Sequence, residues 1–109
     1  MSTTIYFELA SSTLPRLGID TLDALGRSVE GGAVVEIVGH SDAAEAGSGL
    51  TNLDVQRAAA VAAGFAADPA RSGWSYRLSG ADASRPAQAT PTRVSEPLNR
   101  RADISICRN

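Results

Sequence analysis

The chain has 109 residues, 43% hydrophobic and 20% charged, which is enough for one domain with one modest core. Its net charge is −2 and its ten basic residues are all arginine, which argues against the clustered basic surface of a nucleic-acid-binding protein. A single cysteine, Cys107, excludes an intramolecular disulfide and argues against a zinc cluster. No apolar window is long enough to span a membrane, and because strand-like sequence begins near Met1 we expect no signal peptide in this sequence.

The first third of the chain predicts a strand followed by a helix. Thr4–Phe7 has the composition of a strand, and the hydroxyl residues 11–13 offer cap oxygens for a helix whose leucines repeat at helical spacing as far as Val29. Gly31 and Gly32 then predict a turn. The leucine spacing predicts that Leu14, Leu17, Leu22 and Leu25 lie near one buried face.

The central third predicts the main strand and the main helix. Val34–Gly39 is rich in β-branched residues, which is typical of a mostly buried strand. A loop of small residues over 43–52 separates it from a helix over Asp54–Ala66, with Asp54 as the expected N-cap.

The last third predicts two more strands around a long loop. Alternation over Trp74–Leu78 and again over Arg101–Cys107 indicates half-buried strands, and the prolines of residues 81–98 indicate a loop between them. The order β-α-β-α-β-β therefore predicts a single α+β domain over residues 1–109, with one sheet and its helices packed against one face.

Asp42 and Arg57 are the candidate binding residues of the central stretch. Asp42 follows the buried strand, while Arg57 falls in the first turn of the predicted helix, where a cation opposes the helix dipole at a cost of about 0.3–1 kcal/mol. The strand-loop-helix turn can bring both to one partly exposed pocket, where carboxylate and guanidinium together could hold a zwitterion. A plain Asp42–Arg57 salt bridge is the structural alternative.

Catalytic and metal-binding alternatives have little support in the sequence. His40 is the only histidine, without metal-ligand partners, and we expect it to hydrogen-bond the adjacent loop. Asp42 and Glu45 form a carboxylate pair on one loop, but nothing fixes the separation that hydrolysis needs. We therefore predict no enzyme activity, no metal and no cofactor.

Three blocks of the chain resemble the OmpA-like peptidoglycan-binding domain. Gly39-His40-Ser41-Asp42, followed by a glycine-containing loop and Leu53–Val61, is similar to the family's GHTD and LSxxRAxxV motifs, and Asp42 and Arg57 keep the family's separation of 15 residues. Asn99–Ile106 looks like the closing NRRVEI strand, and residues 5–25 resemble the usual opening strand and helix. The resemblance covers nearly the whole chain and implies a mixed sheet.

The resemblance implies a non-catalytic domain that binds the diaminopimelate of a peptidoglycan stem peptide and anchors an envelope protein to the cell wall. Asp42 would take the ligand's ammonium group and Arg57 its carboxylate. Ser41, Asn99, Arg100 and Arg101 complete the implied ligand-binding set, although strand alternation lets only one of the two adjacent arginines reach a given pocket. The implied location is the periplasm or cell envelope, including the outer membrane. We expect a domain excised from a larger protein, in contact with a membrane only through fused segments; a weak homo-oligomer is left open.

Four departures from the family's motifs bear on the ligand. Ser41 replaces Thr and Asp54 replaces Ser, whereas Glu45 stands where the family usually has Gly and Leu50 where it usually has Asn. Glu45 and Asp54 add negative charge near Arg57, where the ligand's carboxylate would bind, so weak binding of the ligand is expected. The alternative function is an OmpA-like fold that has lost wall binding and serves as an interaction or assembly module of an envelope complex.

Overall fold

The computed structural model describes residues 1–47, 52–82 and 96–108. The strands are β1 (Ser2–Tyr6), β2 (Ala33–His40), β3 (Ser75–Asp82) and β4 (Arg101–Arg108), and the α-helices are α1 (Arg16–Arg27), α2 (Ala43–Gly47) and α3 (Leu53–Ala66). Short 3₁₀ turns cover Pro69–Arg71 and Pro97–Asn99. Among the described helices, none combines the length and apolar character needed to cross a bilayer.

The four strands form one mixed sheet in the order β1-β4-β2-β3. β4 is antiparallel to both of its neighbours, β1 and β2, whereas β2 and β3 run parallel. The last strand in sequence is therefore central in space. The predicted α+β class and mixed sheet are confirmed.

The core lies between one face of the sheet and the helices. On β2, Ala33, Val35 and Ile37 are fully buried, while Glu36 on the alternate face is exposed. The opposing α3 residues Ala58, Val61 and Phe65 are also fully buried. Fully burying a large aliphatic or aromatic side chain contributes roughly 1.5–3 kcal/mol, so the packing of α3 on β2 is a main source of stability.

The buried face of α1 differs from the leucine stripe that the sequence predicts. Leu22 is buried, but Leu17 is 77% exposed. Gly18 and Gly26 are buried instead, since Ile5 on β1 approaches Gly18 and the Arg71 guanidinium lies against Gly26. These two glycines let neighbouring side chains reach the helix backbone.

The amino end of α3 sits close against the sheet. Gly39 of β2 and Gly80 of β3 are register partners, and Asp54 lies over both of them. The helix begins at Leu53 with Asn52 as its N-cap residue, so the expected Asp54 cap is wrong and Asp54 belongs to the first turn. Arg57 is then the fifth helical residue, and its side chain reaches the end of β2, where the His40 carbonyl accepts a hydrogen bond from it.

Candidate functional site

Three elements bring charged residues together at one end of the sheet. β2 ends at His40 and is followed by Ser41 and Asp42, α3 supplies Arg57, and Arg100 lies immediately before β4. Because β4 is antiparallel to β2, its amino end meets the carboxyl end of β2, which brings Arg100 beside Asp42.

Asp42 and Glu45 form a reciprocal cap on α2, a helix over residues that we had expected to be loop. The Glu45 backbone N–H donates to Asp42 Oδ1 at 2.7 Å, and the Asp42 N–H donates to Glu45 Oε1 at 3.0 Å. This is the capping-box arrangement, in which the N-cap residue and the third helical residue each satisfy the other's backbone donor. The sequence Asp42-Ala43-Ala44-Glu45 carries the signal for it, and our sequence analysis missed it.

Arg57 is fully buried and bound on every side. Its side chain is 0% exposed, and its guanidinium forms a bidentate ion pair with the Glu45 carboxylate, with Nη1 to Oε1 at 2.7 Å and Nη2 to Oε2 at 2.6 Å. Three backbone carbonyls accept its other hydrogen bonds: Ser11 from Nε at 3.0 Å, His40 from Nη1 at 2.9 Å, and Glu8 from Nη2 at 3.1 Å. These five bonds use all five N–H groups of a guanidinium.

Asp42 is likewise fully buried and holds a cation. Its Oδ2 accepts from Arg100 Nη1 and from the Glu96 backbone N–H, both at 3.1 Å, while Oδ1 serves the α2 cap. The Arg100 side chain is 11% exposed and also donates from Nε to the Phe7 carbonyl at 3.3 Å. The carboxylate thus has a partner for each oxygen.

Asp42 and Arg57 therefore converge, though in a different way from either sequence interpretation. Both contact Glu45, but Arg57 forms its ion pair with Glu45, and Asp42 forms its ion pair with Arg100. Both side chains are 0% exposed, so the expected partly exposed pocket is wrong for this structure. The physical reason is that Glu45, placed by the α2 cap, fills the space between them.

The remaining predicted residues divide between two places. Ser41 and Asn99 are buried at 1% and 2% exposure, each next in sequence to a residue of the Asp42–Arg100 pair. Arg101 belongs to a separate cluster, where its Nε lies 3.2 Å from Asp103 Oδ1. The two adjacent arginines therefore have different partners, as alternation along a strand requires.

His40 belongs to the Asp103 cluster. Its Nε2 lies 3.0 Å from Asp103 Oδ2, and Thr4 Oγ1 donates to Asp103 Oδ1 at 3.1 Å. The structure thus places the His40 ring against a carboxylate of the neighbouring strand, a partner that the sequence analysis did not predict. In the described parts of the chain, no cluster of three or more metal-ligating side chains is found.

Two parts of the sequence analysis lie outside the described residues. Leu50 is one, and most of the predicted 81–98 loop is the other. Within the described residues, an open groove of about 470 Å³ runs between β1 and α1, and Arg100 lines one end of it.

No protein-family model and no curated protein sequence matches this chain. Solved structures do match it. The C-terminal domain of Helicobacter pylori MotB superposes with a TM-score of 0.70 at 14% identity, covering 98% of this chain and 85% of that one. The cell wall anchor of the T6SS from Pseudomonas aeruginosa gives 0.64 at 23% identity, covering 98% and 80%. The peptidoglycan-associated lipoprotein from Burkholderia pseudomallei gives 0.65 at 16%, covering 95% and 89%.

The OmpA-like domain of FopA1 from Francisella tularensis also matches, with a TM-score of 0.64 at 17% identity, covering 98% of this chain and 72% of that chain. The chain therefore has the OmpA-like fold that the three sequence blocks predicted. At these identities the likeness establishes the fold alone.

Proposed function

We propose that this chain is a non-catalytic domain that binds peptidoglycan through the diaminopimelate of a stem peptide and anchors a larger envelope protein to the cell wall. One observation carries the proposal: Arg57 already holds a carboxylate in a bidentate fork, and Asp42 beside it already holds a cation. Two of the structures that share the fold are described as a cell wall anchor and as a peptidoglycan-associated lipoprotein, which supports the same class of partner.

We call the position that faces the Arg57 guanidinium the carboxylate seat, and the position that faces the Asp42 carboxylate the cation seat. Together they fit one end of diaminopimelate, which carries an ammonium and a carboxylate on the same carbon. The Glu45 carboxylate and the Arg100 guanidinium occupy the positions that those two ligand charges would take. Glu45 Oε1 accepts from both Arg57 and the Asp42 backbone, so the carboxylate seat directly adjoins Asp42. Ser41 and Asn99 would line the same end of the sheet, whereas Arg101 would act only indirectly, since its contacts are with Asp103.

Co-sedimentation with purified peptidoglycan sacculi at low salt tests the proposal. We expect wild type to bind weakly and Asp42→Asn, which keeps the shape of the side chain and an oxygen for the α2 cap, to bind about tenfold or more weakly, because one charge-assisted bond is lost. Asp20→Asn makes the same chemical change on a side chain of α1 that is 62% exposed, and it should bind like wild type. Circular dichroism confirms that each variant is folded. Absence of wild-type binding contradicts the proposal.

A specific observation favours a second function, an assembly module of an envelope complex that no longer binds the wall. Arg57 and Asp42 are fully buried, and the guanidinium has used all its donors on groups of its own chain. A domain that had lost its ligand would be expected to have these charges paired within its own chain. The same sacculus experiment separates the two functions, since this one requires that wild type and Asp42→Asn both stay in the supernatant.

A further inference from the structure

We infer that Glu45 is an internal substitute for the ligand: its carboxylate occupies the carboxylate seat on Arg57, so a wall peptide binds only by displacing it. The inference rests on the proposed function for the identity of that seat. It goes further in assigning to Glu45, a residue outside the predicted binding set, control over the affinity of the site.

The geometry of the Glu45–Arg57 pair is that of a bound ligand. Two parallel N–H···O bonds of 2.6 and 2.7 Å join the two planar groups, and both side chains are 0% exposed. Fork-to-fork pairing is the arrangement in which guanidinium recognises a carboxylate most specifically. An incoming carboxylate needs the same two N–H directions, because the other donors of Arg57 are held by the backbone carbonyls of Glu8, Ser11 and His40.

The cation seat is filled from within the chain as well. Arg100 Nη1 lies 3.1 Å from Asp42 Oδ2, in the place of an ammonium group. Arg100 is 11% exposed and Glu45 is 0% exposed, so the cation seat borders solvent more closely than the carboxylate seat does. Displacement of Glu45 is therefore the harder of the two changes that a zwitterion has to make.

Displacing Glu45 also disturbs α2. Oε1 is shared between Arg57 and the Asp42 backbone N–H, so when the carboxylate leaves the seat, one half of the α2 capping box is lost. The displaced Glu45 carboxylate also stays nearby and repels the carboxylate of the incoming ligand. The apparent affinity is the intrinsic affinity multiplied by the fraction of molecules in which the seat is open, so it is low when the open state is rarely populated.

The first test compares sacculus binding of Glu45→Gln and Glu45→Ala with that of wild type. Gln has the same size but lacks the charge that holds Arg57, and Ala removes the competing group. We expect about 10- to 100-fold tighter binding for both, as follows when a closed state no longer dominates. Glu8→Gln is the matched control: its side chain is exposed and its charge change is the same, while its backbone carbonyl still contacts Arg57. Measurable binding that is equal for wild type and both Glu45 variants overturns the inference.

The second test is chemical rescue, which needs no wall ligand. In Glu45→Ala, sodium acetate should enter the empty seat on Arg57 and raise the melting temperature more than sodium chloride does at equal concentration, since a ligand that binds only the folded state stabilises it. Wild type should respond to the two salts alike. If acetate gives the variant no more than chloride does, the carboxylate seat is not a binding site and the inference is overturned.

The two tests also separate this inference from the proposed function. Acetate rescue with no sacculus binding by any variant supports Glu45 as the internal occupant of the seat and refutes wall binding. Sacculus binding by wild type that does not change in the Glu45 variants supports wall binding and refutes the role of Glu45.

Discussion

Arg57 is a charged residue of the candidate site, and its side chain is fully buried. Its guanidinium is buried with the Glu45 carboxylate, and it lies 5.4 Å from the centre of the Phe7 ring. Burying two charges costs several kcal/mol in lost hydration, which is recovered only when every donor and acceptor is used. All five donors of Arg57 are used, so the pair is compatible with a stable fold.

Removing one member of this pair should destabilise the domain strongly. Arg57→Met leaves the Glu45 carboxylate buried without its partner and should lower the free energy of unfolding by about 3–5 kcal/mol. The double variant Arg57→Met with Glu45→Gln should recover part of that loss, because the uncompensated charge is gone. Urea unfolding in a double-mutant cycle measures the coupling.

The exposed Arg16–Asp20 pair on α1 supplies the control for that cycle. Its atoms are 3.6 Å apart and both side chains are largely exposed, so Arg16→Met should change stability by at most about 1 kcal/mol. Equal losses for Arg57→Met and Arg16→Met would show that the buried pair is not a stabilising element.

At the scale of single residues, the sequence predicts position better than it predicts partner. Asp42 and Arg57 do meet at one end of the sheet, because a strand end and the helix that follows it determine where both backbones lie. Their partners depend on Glu45, whose direction is set by α2. That helix has only five residues, too short for any periodicity to reveal, and only its cap pattern marks it. The sequence places Glu45 only near Arg57, whereas in the structure its carboxylate pairs directly with the guanidinium.

At the scale of elements, the site depends on how closely α3 approaches the sheet. Gly39 on β2 and Gly80 on β3 form a paired glycine floor beneath Asp54. This close approach lets Arg57, one turn further along α3, reach the His40 carbonyl at the end of β2. The period change from strand to helix predicts β2 and α3 themselves. The distance between them cannot be predicted in this way, because it depends on two glycines that are far apart in sequence.

Gly39→Ala should therefore be the most damaging of the simple glycine substitutions. A Cβ on Gly39 would overlap the backbone carbonyl oxygen of Asp54, which cannot move unless the whole helix end moves. Overpacking of this kind costs about 1–3 kcal/mol or more. Gly73→Ala is the matched control, since its Cβ would meet nothing within 4 Å, and it should be neutral. Thermal unfolding of the two variants decides the matter, and a Gly39→Ala protein as stable as Gly73→Ala would contradict this account of the floor.

At the scale of the whole molecule, the topology separates the site from both ends of the described chain. β1 runs toward the site, since Phe7 and Glu8 just beyond it contact Arg100 and Arg57. β4 starts beside the site and runs away from it, so that Arg108 pairs with Ala33 and Ser105 with Ser2. An eight-residue strand is about 26 Å long, so Arg108 lies about that far from the amino end of β4. Ser2 pairs with Ser105, four residues from Arg101, and therefore lies about 13 Å from the same end.

Under the proposed function, segments attached at either end would leave the domain on the side away from the bound wall. We expect that fusing a bulky folded protein before residue 1, or after residue 109, leaves sacculus affinity within about threefold of the unfused domain, because the added protein is attached well away from Asp42 and Arg57. The fusions should be compared in the Glu45→Gln background as well as in wild type, since tighter binding there makes a small change easier to measure. A tenfold loss with either fusion, in a protein whose melting temperature is unchanged, would mean that the wall contacts the end of the sheet where Ser2 and Arg108 lie. Sacculus binding would then have to be assigned away from Asp42 and Arg57, and the Asp42→Asn variant would bind as wild type does.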